Sequence, residues 1–159
     1  MNYDCGFTRG DRWFRYRAAA IIVEEGHVLF AGNDVDQYLY SVGGAVHVGE
    51  TAEEAVVREV LEETGVQYEI DRLAFIHENF FEGDGTQGDL HCHEVALYFL
   101  MKPRGTRQLN SHSTTAWGVP EHMHWIPLEE LGKRKAFPTF LPEKIGNMKP
   151  WIEHIVTRE

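Results

Sequence analysis

One segment of the chain, GGAVHVGETAEEAVVREVLEETGV at residues 43–66, constrains the fold more than any other. Thr51 can cap a helix there, because Glu54 follows at the third helical position and a Thr-x-x-Glu pair satisfies exposed backbone amides at a helix start. Gly65 can adopt the left-handed conformation that commonly ends a helix. The segment therefore predicts a helix that begins at about Ala52 and ends just before Gly65.

An acidic stripe is predicted on one side of this helix. At about 100° per residue, Glu59, Glu62 and Glu63 gather together, with Arg58 at their flank. The apolar residues gather on another side, which must face the core: Val56, Val57, Val60, Leu61 and Thr64. Like charges within one turn repel, and the ordinary explanation for such a stripe is a solvated surface. Solvation alone does not require the paired glycines, the cap and the arginine, so the pattern favours a solvent-facing acidic site that binds a cation.

The overall composition limits the kinds of partner. The formal net charge is −10, which argues against binding the polyanionic backbone of a nucleic acid. The two cysteines, Cys5 and Cys92, lie far apart without a CxxC spacing, so no disulfide framework is predicted. The first residues lack the layout of a secretory signal, and no apolar run is long enough to cross a bilayer. A chain of 159 residues with these features predicts one cytoplasmic domain over residues 1–159.

The remaining chain reads as strands, loops and a helical tail. Residues 17–31 predict a two-stranded hairpin with Gly26 in the turn, and QYLYSV predicts a third short strand before the paired glycines. YEIDRLAFIHENFF and HCHEVALYFLM predict two longer strands on either side of a polar loop. Residues 103–121 predict a long loop, followed by a strand at HMHWIPL. The tail from Leu128 predicts helical pieces punctuated by prolines, including PEKIGNMKPWIEHIV.

Residues 44–66 resemble the catalytic box of the Nudix hydrolases, Gx5Ex7REUxEExGU, in which U is apolar. The box positions are matched by Gly44, Glu50, Arg58, Glu59, Val60, Glu62, Glu63, Gly65 and Val66. So many fixed or class-restricted positions make a far more specific signal than a lone glycine motif. The hairpin and the WIPLEEL and FPTFL segments also resemble the family's opening strands and closing elements. The likeness covers most of residues 15–145 and leaves residues 1–14 as an N-terminal extension.

The resemblance implies a fold of the α/β class, namely the Nudix α/β/α sandwich. Its mixed β-sheet carries the box as a catalytic loop-helix-loop at the edge. Periodicity alone would support only an α+β or α/β domain.

The resemblance also implies an enzyme that uses Mg²⁺, or Mn²⁺ as a substitute, to hydrolyse the pyrophosphate linkage of a nucleoside diphosphate derivative. In the family, the glutamates that match Glu59, Glu62 and Glu63 are the main metal ligands. The carbonyl that matches Gly43 often joins them. Glu50 and Arg58 match positions that orient the ligands through charge-assisted hydrogen bonds. Clustered carboxylates with few basic partners suit such a hard, oxygen-binding cation.

The catalytic base is open between two glutamates. Relatives place a proton-accepting carboxylate within the box or on a later loop or strand, which points to Glu63 or to Glu94. Aromatic side chains that could stack on a nucleobase include Phe80, Phe81 and Tyr98, although such residues more often belong to the core. Strand alternation predicts that about half of them point inward.

A second candidate metal site consists of His91, Cys92, His93 and Glu94, because their side chains can all bind zinc. In an extended strand the two histidines share one face, whereas Cys92 and Glu94 share the other. This division predicts partly exposed histidines rather than a zinc site. A zinc-dependent structural module is therefore the weaker alternative.

The substrate is the least constrained feature. Sequence arrays that mark relatives acting on NADH, coenzyme A or ADP-ribose are absent, which favours a nucleoside triphosphate or a similar small nucleotide. ADP-ribose or a nucleotide sugar is the alternative, as is a Nudix-like module that senses a nucleotide without cleaving it. The intact set Glu59, Glu62 and Glu63 argues against sensing alone. Because many relatives pair, a homodimer is compatible with the resemblance.

Overall fold

The computed structural model describes residues 2–33, 38–83, 88–110 and 121–159. Within these residues one mixed sheet contains ten strands: β1 (Gly6–Arg9), β2 (Arg12–Ile21), β3 (Val23–Glu24), β4 (His27–Asn33), β5 (Leu39–Ala45), β6 (Ile70–Glu82), β7 (His91–Met101), β8 (Glu121–Pro127), β9 (Ala136–Phe137) and β10 (Glu153–Arg158). The helices are α1 (Ala52–Thr64) and α2 (Phe140–Lys144), with 3-10 turns at Leu128–Lys133 and Ile145–Asn147. None of the helices in the described ranges is both long and apolar enough to span a bilayer.

The sheet has the order β10-β6-β7-β2-β5-β4-β3, with β1 added to β2, β8 to β4 and β9 to β5. Parallel pairs join β10 to β6, β2 to β7 and β5 to β9, while pairs such as β2–β5 and β6–β7 are antiparallel. Strand β5 changes partner along its length. It pairs with β4 at Tyr40 and Ser41, and with β2 from Val42 to Ala45. The strand that carries the paired glycines therefore bridges two parts of the sheet.

The two faces of the sheet bury two separate cores, because side chains alternate along β2. Ala18 and Ala20 belong to the core that α1 covers, together with Val56 and Val60 of that helix. Ala19 and Ile21 belong to the opposite core, which includes Phe140 and Leu141 of α2. Helices thus cover both faces of a mixed sheet, and the predicted α/β layering is confirmed.

Helix α1 begins and ends where its caps predict. The Thr51 hydroxyl accepts from the amide of Glu54 at 3.1 Å, and the Glu54 carboxylate accepts from the amide of Thr51 at 3.2 Å. Gly65 has a φ of 72°, which is the left-handed conformation expected at this position. A side chain there would also overlap the carbonyl of Asn110. Position 65 therefore requires glycine for two independent reasons.

The apolar face of α1 is narrower than predicted. Val56, Val60 and Thr64 are buried, but Leu61 is 44% exposed. The small residues Ala52 and Ala55 are buried instead, so the buried stripe runs through the alanines at the start of the helix.

The predicted helical tail is wrong at its end, where residues 153–158 form β10 parallel to β6. Ile155 packs against the core beneath α2, while Val156 points outward and is 52% exposed. This two-residue alternation and the β-branched side chains favour a strand over a helix. The first residues, which the sequence predicts only as an N-terminal extension, include a strand of the sheet. This strand, β1, pairs with β2 from Gly6 onward.

Candidate active site

The paired glycines bring β5 against the acidic side chains of α1. A side chain at position 44 would overlap the carboxylate of Glu59, so Glu59 lies directly over Gly44. A side chain at position 43 would overlap the backbone of β2. The amide of Gly43 donates to Glu63 Oε2 at 2.9 Å. Glycine at both positions lets two carboxylates of the helix reach the strand.

Arg58 holds three surrounding carboxylates at once. Its Nε and Nη2 donate to Glu50 at 2.8 and 3.0 Å, and Nη2 also donates to the carbonyl of Ala45 at 3.1 Å. Its Nη1 donates to Glu59 at 2.8 Å and lies 3.4 Å from both carboxylate oxygens of Glu62. We call Glu50, Arg58, Glu59, Glu62 and Glu63 the box cluster. One guanidinium among four carboxylates leaves the box cluster with excess negative charge.

The acidic stripe is less exposed than its helical position predicts. The side chain of Glu62 is 57% exposed, but Glu63 is 6% exposed because it turns toward the amide of Gly43. Burial raises the pKa of Glu59 and raises that of Glu63 well above its usual range, where the nearby Glu121 and Glu59 add to the effect. The prediction that the whole stripe faces solvent is therefore wrong for Glu63.

Glu50 fixes the loop before the helix. Hydrogen bonds from Arg58 lower the pKa of Glu50 to about 2, so this carboxylate is ionised at neutral pH. Glu50 Oε1 also accepts from the amide of His47 at 3.0 Å. The loop and the helix are thus joined through one Glu50–Arg58 pair, which suits the orienting role implied by the resemblance.

Glu121 is an acidic neighbour that the sequence interpretation missed. Its charge acts on Glu63, and its Oε2 accepts from the hydroxyl of Tyr40 at 2.9 Å. The amide of Asn33 in turn donates to the Tyr40 hydroxyl at 3.3 Å. Glu121 begins β8, directly opposite Asn33 on β4. An acid at the start of a strand that follows a long polar loop was the available signal, but only the pairing of β8 with β4 brings it to the box cluster.

Aromatic side chains and a lysine lie beside this network. Tyr38 packs edge-on against Phe137 at 5.0 Å and against Tyr40 at 6.3 Å. The ammonium of Lys135 lies 5.8 Å from the Tyr38 ring centre and 5.9 Å from that of Phe137. These groups are linked to the box cluster through Tyr40 and Glu121, and a cation with aromatic rings is a combination that binds phosphates and bases.

Glu94 lies on the opposite face of the sheet and is paired with an arginine. Arg15 donates to Glu94 Oε2 through Nε at 2.9 Å and Nη2 at 2.5 Å. Burial alone would raise the pKa of Glu94, but Arg15 and Arg17 outweigh it and hold the pKa below its usual value. Along the sheet, Glu94 is also distant from Gly43. Glu94 pairs with Arg15 of β2 and Gly43 pairs with Ala19 of β2, and these two residues of β2 are four positions, about 13 Å, apart.

The three predicted substrate-contacting aromatics occupy two places. Tyr98 is buried at 1% exposure, with its hydroxyl 3.4 Å from Arg17 Nη1 and from Ser41 Oγ. Phe80 and Phe81 lie near the far end of the sheet, where the ring of Phe80 packs against Arg158 at 4.2 Å and His93 at 4.4 Å. That end forms a groove lined by aromatic and basic side chains. The structure does not bring Phe80 and Phe81 together with the box cluster.

The four side chains considered for zinc are divided as the strand alternation predicts. His91 and His93 are exposed, whereas Cys92 and Glu94 are buried. His91 Nδ1 lies 2.9 Å from a carboxylate oxygen of Glu82. Across the ranges that the structure describes, no three His, Cys, Asp or Glu side chains are already arranged to hold a metal ion.

The comparison with protein families agrees with the box. A model of the NUDIX domain matches residues 13–150, which is most of the chain. The chain belongs to the Nudix hydrolase family.

Individual relatives support this placement. A MutT-like protein of Streptomyces ambofaciens is 32% identical over 119 residues, covering 74% of this chain and 67% of the relative. The crystal structure of the MutT protein of Bacillus halodurans superposes with a TM-score of 0.68 at 16% identity, covering 91% and 90% of the two chains. An ADP-ribose pyrophosphatase of Streptococcus suis superposes with a TM-score of 0.57 at 16% identity, covering 89% and 98%. At 16% identity, these two structural matches establish the fold alone.

Membership in the Nudix family indicates the general class of substrate and cofactor. Nudix hydrolases act on small nucleotides that are derivatives of nucleoside diphosphates, and they generally use divalent metal ions. The donor set of this chain fits such an ion, because the box cluster offers carboxylate oxygens in excess of its positive charge.

Proposed function

We propose that this Nudix hydrolase cleaves the pyrophosphate linkage of a nucleoside triphosphate or similar small nucleotide in a Mg²⁺-dependent reaction. One observation carries the proposal. The carboxylates of Glu59 and Glu63 converge on Gly43 and Gly44 with a single arginine to offset four acids. A cation that bridges acids and phosphates would relieve that imbalance.

The metal ligands that we propose are Glu59, Glu62, Glu63 and the carbonyl of Gly43. When bound, Mg²⁺ or Mn²⁺ would neutralise charge on the diphosphate and make water nucleophilic near neutral pH. Glu50 and Arg58 orient the set, because their pair fixes the loop against α1 while Nη1 of Arg58 holds Glu59. Removal of that pair would leave Glu59 free to take several rotamers.

The proton-accepting role is proposed for Glu63 together with Glu121. Two carboxylates that share a buried site repel, and one of them gains affinity for a proton. Glu94 is the alternative, but its salt bridge with Arg15 and its lowered pKa make it a weaker base. Glu121→Gln and Glu94→Gln therefore separate the two assignments by their effect on kcat.

The nucleobase is proposed to lie near Tyr38 and Phe137, with Lys135 close to the phosphates. Phe80 and Phe81 are the other proposed contacts, whereas Tyr98, also predicted from the sequence, is buried in the core and is not proposed. Phe80 and Phe81 stand at the far groove, so they would serve a longer substrate whose second half extends along the sheet. ADP-ribose or a nucleotide sugar has such a second half, and one structural relative is an ADP-ribose pyrophosphatase.

A substrate screen tests the proposal directly. Nucleoside triphosphates, nucleotide sugars, dinucleoside polyphosphates and ADP-ribose are incubated with the protein and Mg²⁺ or Mn²⁺, and the phosphate products are measured. We expect metal-dependent cleavage that is greatest for a triphosphate and is lost in Glu62→Gln. Saturable nucleotide binding with no cleavage of any compound would instead identify a sensing module.

A further inference from the structure

Arg17 is a buried arginine that the box motif does not include. It lies on β2 and is only 7% exposed. Its Nη1 donates to Ser41 Oγ at 2.7 Å and to the hydroxyl of Tyr98 at 3.4 Å, while Nη2 donates to the Ser41 carbonyl at 2.7 Å. Within the described residues these hydrogen bonds all go to neutral oxygen atoms. A buried guanidinium held in this way needs an explanation, because burying a charge away from a close counter-ion costs free energy.

The contact with Ser41 falls where β5 changes partner. Ser41 pairs with Phe30 of β4, whereas the next residue, Val42, pairs with Ala20 of β2. At such a point the strand leaves one neighbour for another and its position is less tightly set by the ladder. Two hydrogen bonds from Arg17, one to the side chain and one to the backbone, tie this residue back to β2.

Ser41 lies two residues before Gly43, whose backbone carbonyl we propose as a metal ligand. Arg17 stands opposite Ala45, and its guanidinium reaches Ser41, so the side chain runs alongside Gly43, which lies midway between them. Gly43 in turn donates its amide to Glu63. A chain of direct contacts therefore leads from Arg17 through β5 to a carboxylate of the box cluster.

The charges around Arg17 support its place in the site. Burial lowers the pKa of this guanidinium, but Tyr98 and the carboxylates of Glu94 and Glu63 outweigh burial and raise the pKa above its usual value. The side chain is thus charged at every ordinary pH. The carboxylates that act on Arg17 come from two elements, since Glu94 lies on β7 and Glu63 on α1.

We propose that Arg17 is a positioning residue, which clamps Ser41 and thereby holds Gly43 where its amide meets Glu63 and its carbonyl meets the metal ion. This inference rests on the function proposed above as far as the metal is concerned. Because Arg17 is buried, it acts through β5 and does not touch the nucleotide. A lysine cannot replace it, since a single ammonium lacks the planar fork that binds the Ser41 hydroxyl and carbonyl together.

Hydrogen exchange of the Gly43 amide tests the clamp in metal-free protein. We expect exchange at Gly43 to be at least about tenfold faster in both Arg17→Met and Arg17→Lys, relative to amides in the middle of β6 and β7. Arg72→Met is the matched control, because Arg72 also donates to a backbone carbonyl, that of Lys149 at 2.7 Å, but on β6. Gly43 exchange should be unchanged in this control. Exchange in Arg17→Met that rises equally at all sites, or full recovery in Arg17→Lys, would overturn the proposal.

Steady-state kinetics give a second readout. We expect Arg17→Met and Arg17→Lys to lower kcat at least about tenfold and to leave KM within about twofold, as for a group that acts on the catalytic arrangement and not on substrate binding. A raised KM with normal kcat would show that Arg17 contacts the nucleotide and would overturn positioning. The exchange experiment needs no turnover, so it decides the clamp even if the wild-type protein cleaves no nucleotide.

A milder variant covers the case in which Arg17→Met does not fold. Ser41→Ala removes only the hydroxyl that accepts from Nη1 and leaves the carbonyl contact in place. We expect Gly43 exchange about threefold faster in Ser41→Ala, with the β6 and β7 amides unchanged. No change at Gly43 in a folded Ser41→Ala protein would count against the clamp.

Discussion

Two clusters of charged side chains differ in their balance, one on α1 with the loop before it and the other on strands β2 and β7. The box cluster sets four carboxylates against one guanidinium, and its acidic side chains range from buried to largely exposed. The strand cluster, by which we mean Arg15, Arg17 and Glu94, sets two guanidiniums against one carboxylate and places Glu94 in the interior. An acidic excess beside solvent is suited to binding a cation. A largely buried group whose carboxylate is paired with an arginine is suited to holding strands together.

This contrast separates function from stability. Glu59, Glu62 and Glu63 of the box cluster repel one another, so the loss of one of these acids should cost activity more than folding. The strand cluster is attractive, so a loss of its one acid should cost folding more than activity. Measurements on both clusters in the same protein therefore test the distinction.

The largest effect is expected from Glu63→Gln, which should lower kcat by about 100-fold or more. Glutamine has the same shape and still accepts the Gly43 amide, so we expect the free energy of unfolding to change by less than about 1 kcal/mol. Kinetics and urea denaturation provide the two measurements. Glu53→Gln, at an exposed position in the first turn of the same helix, is the control and should retain full kcat. A kcat for Glu63→Gln within twofold of wild type would remove this residue from the site.

Glu94→Gln should have the opposite profile. Without its carboxylate, the partly exposed Arg15 loses its ion pair and the buried Arg17 loses a nearby acid, and we expect the free energy of unfolding to fall by about 3 kcal/mol. Denaturant titration measures this loss. Glu82→Gln is the control, since Glu82 forms an exposed pair with His91 that should contribute less than about 1 kcal/mol. A fully stable Glu94→Gln protein with little turnover would instead favour Glu94 as the catalytic base.

The pH dependence of stability should distinguish the two regions further. His77 lies beside the strand cluster, and burial lowers its pKa from 6.5 to about 4. At this residue the unfolded chain binds a proton more readily than the folded chain, so the contribution of His77 to stability should fall by about 3 kcal/mol as the pH falls from 6.5 to 4. Glu50 of the box cluster has its pKa lowered from 4.5 to about 2, so its similar contribution should be lost only between pH 4.5 and 2.

Single variants assign these two windows. His77→Gln should flatten the unfolding free energy between pH 6.5 and 4 without altering the more acidic range. Glu50→Gln should flatten the range below pH 4.5 and leave the upper range intact. Chemical denaturation at a series of pH values gives both curves, and an unchanged upper window in His77→Gln would reject the assignment to this histidine.

The two clusters also differ in how far the sequence could predict them. The helix of the box cluster is specified by residues close together in the chain, because Thr51 and Glu54 cap one end and Gly65 closes the other. Helical periodicity then places Glu59 and Glu62 correctly on the acidic side. The burial of Glu63 depends on a hydrogen bond to Gly43 across 20 positions of sequence, which no local pattern records.

The missed residues all depend on contacts between distant strands. Glu121 joins the site only because β8 pairs with β4, and Arg17 is tied to it only because β5 changes partner at Ser41. The same holds for β10, since its short apolar alternation does not by itself distinguish a strand from the predicted helical tail, and its pairing with β6 makes it a strand. Local signals therefore predicted the helix and the fold class, whereas sheet register determined which other side chains meet it.

The smallest effect is expected at the far groove. Phe80 pairs with His93, and His93 pairs with Phe14 of β2. Gly43 pairs with Ala19 of β2, which is five positions, about 17 Å, from Phe14. A triphosphate bound at the box cluster does not need to extend that far, and we expect Phe80→Leu to change kcat/KM for a triphosphate by less than about twofold. The same variant should raise KM several-fold for a substrate with a second nucleoside or sugar that lies along the sheet. Side-by-side kinetics with a triphosphate and ADP-ribose compare the two cases, and a large loss with the triphosphate would mean that its base binds in the groove and not beside Tyr38.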